Sequence, residues 1–78
     1  PVAWERVCPD GNLSRADWRL SDIALETFGR LGVNVIAGLV HHGSGPVGHT
    51  DLLDTEFAPK LARFARAAAE RYPWVRHW

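Results

Sequence analysis

The chain has 78 residues, with nine basic and nine acidic side chains and a formal charge of +0. That balance argues against nucleic acid as the main partner, which would require a basic patch. No apolar run approaches the roughly 18 residues needed to span a membrane, so no membrane partner is expected either.

A single cysteine, Cys8, excludes an internal disulfide and leads us to expect a reducing, cytoplasmic setting. A chain this short buries only a modest core, at about 60% of its unfolded surface. No leader pattern and no initiator Met are present. Both ends, Pro1-Val2-Ala3-Trp4 and Val75-Arg76-His77-Trp78, look like interrupted strands, so the expectation is a fragment of a larger fold.

Residues 1–7 are apolar and rich in strand formers, and predict the end of a strand. Residues 8–12, Cys-Pro-Asp-Gly-Asn, form a turn cluster. Asp17 or Ser21 is a candidate cap for a following helix. In that helix Leu20, Ala24, Phe28 and Leu31 recur at helical spacing and predict the buried stripe. Asp22, Glu26 and Arg30 are expected on the solvated side. Gly32 stands where a C-terminal capping glycine belongs.

Residues 33–40 are almost unbrokenly apolar and β-branched, as suits a parallel strand covered on both faces. A glycine-rich loop follows at 41–49. A second helix is expected to start near Asp54 or Thr55, with Pro59 in its first turn. Phe57, Leu61, Phe64, Ala65 and Ala68 form its buried stripe. Pro73 ends it, and residues 74–78 predict a third strand. The fold class expected is therefore α/β: one βαβαβ unit over residues 1–78, with parallel strands and right-handed crossovers. A complete (β/α)₈ barrel needs about 250 residues, so this unit would be part of one. Its ligand end would hold residues 6–12 and 41–49.

Residues 43–48, Gly-Ser-Gly-Pro-Val-Gly, spell the letters of a dinucleotide loop. Pro46 removes an N–H from such a cradle. No helix opens at Gly48, and no acidic residue ends the next strand. The stretch therefore reads as a loop over an active site, and no cofactor is expected. His41, His42 and His49 invite a metal reading. Adjacent strand residues point to opposite faces, however, and no C-x-x-C or H-E-x-x-H accompanies them. Of the four tryptophans, most are expected to pack internally, though one at a barrel mouth could stack on a sugar. Arg6, near a strand end, reads equally as an ion-pair partner or a site residue.

Trp4-Glu5-Arg6-Val7-Cys8-Pro9-Asp10-Gly11 resembles the W-S-R-x-x-P-x-G stretch of the family 1 glycoside hydrolases. Leu31-Gly32-Val33-Asn34-Val35 is similar to the approach to their third strand. Leu39-Val40-His41-His42-Gly43-Ser44-Gly45-Pro46 resembles their L-Y-H-W-D-L-P. Phe57-Ala58 and Arg71 through Val75-Arg76-His77-Trp78 resemble the helix and fourth strand that lead to their W-x-T-x-N-E-P motif. The set covers nearly the whole chain in order. The resemblance implies strands two to four of a (β/α)₈ barrel and a retaining two-carboxylate mechanism, with both catalytic glutamates outside residues 1–78. It assigns His41 to a sugar hydroxyl; His42, at the departing position, and Arg6, near a strand end, are further substrate-binding candidates. The implied partners are a glycoside and the remainder of the barrel. His42 stands where the family has tryptophan, and Gly43-Ser44-Gly45 replaces its Asp-Leu. Such segments are also joined to sugar-nucleotide reductase domains, so a non-catalytic or reductase-associated sugar-binding protein is the alternative.

Overall fold

The structure, a computed structural model, describes residues 2–40, 46 and 54–78. These residues are 52% helix and 3% strand, and they contain no sheet. The expected βαβαβ unit of parallel strands, and with it the barrel fragment, is therefore corrected. In its place stand a one-turn helix α1 (Trp4–Val7), a 3-10 turn at Leu13–Arg15, and two longer helices, α2 (Arg19–Arg30) and α3 (Phe57–Arg71).

The spacing of side chains explains the failure of the first strand. Trp4 and Val7 are both buried, at 2% and 3% exposure. Residues three apart share a face on a helix but oppose one another on a strand. One core can take both side chains only if the backbone winds. Winding then uses up the amides: Arg6 and Val7 donate to the Ala3 carbonyl and Cys8 to that of Trp4. None of the three is left for a ladder.

The other expected strands fail in related ways. Val33 and Ile36 are exposed, while Ala37 between them and Leu39 is buried, so 33–40 is not covered on both faces. Pro73 lacks an N–H, and Val75 donates back to Tyr72 in a turn, so 74–78 begins as a turn. The extended pieces still touch. Val2 and Trp4 donate to the carbonyls of Gly38 and Leu39, Ala37 donates to His77, and Ile36 and His77 form one parallel bridge. Isolated bonds of this kind tie segments together without a repeating ladder.

Helix α2 begins after Asp17, whose carboxylate accepts from the Arg19 amide at 3.1 Å. Ser21, the other expected cap, lies inside the helix and is buried. The helix ends as expected. Gly32 takes φ +69°, its N–H reaches the Gly29 carbonyl, and Val33 N–H reaches that of Phe28, forming a Schellman closure.

The buried face of α2 departs from the expected one. Leu20 is 81% exposed and Leu31 is also exposed, whereas Ser21 and Leu25 are buried. The helix is turned by about one residue, some 100°, from the predicted stripe. Asp22, expected in solvent, faces α3. It accepts from Arg71 Nε and Nη2 at 2.8 and 2.6 Å and from the Tyr72 hydroxyl at 2.8 Å.

Helix α3 matches its expected pattern. Phe57, Phe64 and Ala68 are buried, and Leu61 and Ala65 are half-buried. Pro59 lies in its first turn, where a missing N–H breaks no helical bond. The core is a run of rings: Phe57 and Phe64 on Trp4, Phe64 on Trp18, Trp18 on Tyr72, and Tyr72 on Trp74, with centroids between 5.6 and 6.0 Å. Arg71 stacks over Trp18 at 5.4 Å. Trp74 Nε1 donates to the Leu25 carbonyl at 3.1 Å, and its ring lies in the space that the missing side chain of Gly29 leaves open.

Candidate functional site

A cleft of about 510 Å³ opens between α1, the start of α2 and residues 38–40. Its geometry follows from the anchoring of α1. Because Trp4 and Val7 are held in the core, Glu5 and Arg6 face the other way and line the cleft. Asp17 closes one side. Its N–H donates to the Val7 carbonyl at 2.8 Å and clamps the end of α1 to the start of α2. Leu20, Ala24, Leu39 and Val40 supply the apolar wall.

The three charged groups in the cleft differ in how they are engaged. Asp17 is committed to Arg19, accepting from its Nε at 2.9 Å and its Nη2 at 2.7 Å. The Arg19 guanidinium, helped by the Arg19 amide, holds the Asp17 carboxyl down at about 2. Arg6 is exposed and makes no ion pair or side-chain hydrogen bond among the described residues. Glu5 is half-buried, and its Oε2 is shielded from solvent without a hydrogen-bond partner among the described residues. A shielded acceptor left unpaired costs about 1–3 kcal/mol, so this oxygen is an unfavourable feature of the cleft wall.

Of the three predicted substrate-binding residues, the structure places Arg6 in the cleft. His41 and His42 lie outside the described residues, as do His49 and, apart from Pro46, the residues of the glycine loop. Val40, which immediately precedes His41, lines the cleft. No tryptophan lines it. Trp4 and Trp18 pack in the core and Trp74 against α2. Among the described residues no group of three His, Cys, Asp or Glu side chains could hold a metal ion.

Sequence reasoning missed Glu5. The signal was present: one acidic side chain in an apolar stretch, standing where the resembled motif has serine. Cys8 is buried, and burial pushes its thiol up, as does the nearby Asp10. It is therefore a core side chain rather than a reactive one. No helix among the described residues is long and apolar enough to cross a membrane. Compared with models of known families, with curated proteins and with solved structures, the chain matches none.

Proposed function

We propose that the chain carries part of the sugar-binding surface of a cytoplasmic glycoside hydrolase similar to the family 1 enzymes. One observation supports this reading above the others. The cleft brings Arg6, from the first resembling stretch, beside Val40, the residue before His41 in another. Two far-apart pieces of the resemblance thus border one cavity. The reading draws on those motifs and on the cleft, and takes nothing from a barrel.

In this proposal Arg6 donates to sugar oxygens, His41 orients a hydroxyl, and His42 supplies a contact where the family uses tryptophan. Contacts that tighten as the glycosidic bond breaks would lower the barrier. Hydrolysis with retention needs two carboxylates about 5–5.5 Å apart, and no residue among 1–78 matches either catalytic glutamate of the family. The chain would bind, and residues beyond it would cleave. No cofactor takes part in such a reaction.

The test is saturation-transfer NMR on the 78-residue chain with methyl β-D-glucopyranoside. Saturation of the sugar ring protons is expected, and Arg6→Ala and His41→Ala should each reduce it. Absence of transfer to the sugar from the folded wild-type chain would overturn the reading.

A further inference from the structure

We infer that Glu5 and Arg6 form a matched pair that reads a vicinal diol on a neutral sugar. The inference rests on the sugar-binding reading and makes it more specific. Glu5 and Arg6 are consecutive on α1 and line the same cleft. A glutamate carboxylate only accepts hydrogen bonds, and an arginine guanidinium only donates them. A hydroxyl does both, so two neighbouring hydroxyls present the complement: one donates to Glu5 while the other accepts from Arg6.

Among the described residues, nothing engages this pair. Asp17, the third charged group of the cleft, is already engaged by Arg19 through three hydrogen bonds. The Gly38 and Leu39 carbonyls are taken by Val2 and Trp4. Glu5 Oε2 is shielded and accepts no hydrogen bond from the described residues. The terminal torsion of a glutamate is soft, so its two oxygens exchange readily and either can meet a donor in the cleft. A cationic amino sugar would satisfy Glu5 but face Arg6, and an acidic sugar would do the reverse. A neutral diol avoids both conflicts.

The experiment titrates methyl β-D-glucopyranoside and its 2-, 3- and 4-deoxy analogues into the wild-type chain and into Glu5→Gln, with Trp fluorescence confirming that the variant is folded. At least one deoxy analogue should bind wild type about tenfold more weakly, as expected for a lost hydrogen bond to a charged group. Glu5→Gln should weaken the parent glycoside by a similar factor and erase the penalty of that analogue. Equal binding of all three deoxy analogues to wild type would overturn the inference without any variant. Unchanged affinity in folded Glu5→Gln would also overturn it while leaving sugar binding intact. No binding of any of these sugars to wild type would remove the sugar reading and this inference with it.

Discussion

Helices α2 and α3 are built from similar materials, yet the sequence identifies the buried face of one and misplaces that of the other. In α3 the apolar side chains Phe57, Leu61, Phe64, Ala65 and Ala68 form one stripe, and Arg63, Arg66 and Glu70 occupy the opposite side. Only one face can be buried. In α2, Leu20, Ile23, Ala24, Leu25 and Phe28 spread over rather more than half of the circumference. Two faces are then candidates, and periodicity cannot choose between them. Tertiary polar contacts decide. Asp22, Leu25 and Gly29 share a face, and each meets a specific partner: Asp22 binds Arg71 and Tyr72, the Leu25 carbonyl takes the Trp74 indole, and Gly29 makes room for the Trp74 ring. A helix with a broad apolar surface is thus oriented by its few polar and small residues.

The sharpest test of this comparison removes one buried side chain from each helix. Phe64→Ala should destabilise by about 3–5 kcal/mol and Leu25→Ala by about 2–5 kcal/mol, since both side chains are fully buried. Small domains have only about 5–15 kcal/mol of stability, so either loss is a large share. Urea denaturation followed by tryptophan fluorescence measures both. If Leu25→Ala proved nearly neutral, the assigned face of α2 would be wrong, while a large loss in Phe64→Ala would still uphold α3.

The same distinction explains what was legible in the sequence elsewhere. Gly32 was readable because a left-handed cap follows from local chemistry alone, and so was Pro73 as a terminator. The strands were not. Apolar, β-branched content at residues 1–7 and 33–40 suits strand, helix or extended coil, and only the joint burial of Trp4 and Val7 settles the first as a helical turn. In the cleft, Arg6 was singled out from a strand-end position, where the structure has a helical turn. Glu5 was not singled out, because what sets it apart is an oxygen without a partner among the described residues, a property of packing rather than of pattern.

A smaller effect is expected at the joint between the two helices. Asp22→Asn should cost about 1–2 kcal/mol near neutral pH, a partly exposed ion pair together with a hydroxyl bond being modest contributors. The pH dependence is more diagnostic. The Arg71 guanidinium, with help from the Tyr72 hydroxyl, holds the Asp22 carboxyl below its ordinary range. A depressed folded-state value adds stability that is fully present above about pH 4 and is lost as pH falls through the lowered value. Tyr72 moves oppositely: burial and its bond to Asp22 push it up to about 12. Its contribution is complete below about pH 10 and is lost as pH rises toward the raised value. Asp22→Asn should flatten the acid limb and shrink the alkaline one. Acid and alkaline denaturation profiles indistinguishable from wild type would mean that the joint does not orient α2.

The smallest expected effect is the most discriminating for the rotation of α2. Leu20 headed the stripe that sequence periodicity predicts to be buried, yet it is 81% exposed at the rim of the cleft. Leucine and alanine have nearly equal helix propensities, so Leu20→Ala changes little in the backbone. Leu20 lies outside the core cluster, and no cavity forms where solvent already reaches. Stability should therefore change by no more than about 0.5 kcal/mol, with an unchanged dependence on urea. Leu25→Ala, five positions along the same helix and identical as a substitution, should cost several times more. A loss at Leu20 comparable to that at Leu25 would show that the apolar side of α2 is covered in solution and that the helix sits in the orientation its periodicity predicts. Near-neutrality at Leu20 beside a large loss at Leu25 leaves the observed orientation as the one that accounts for both.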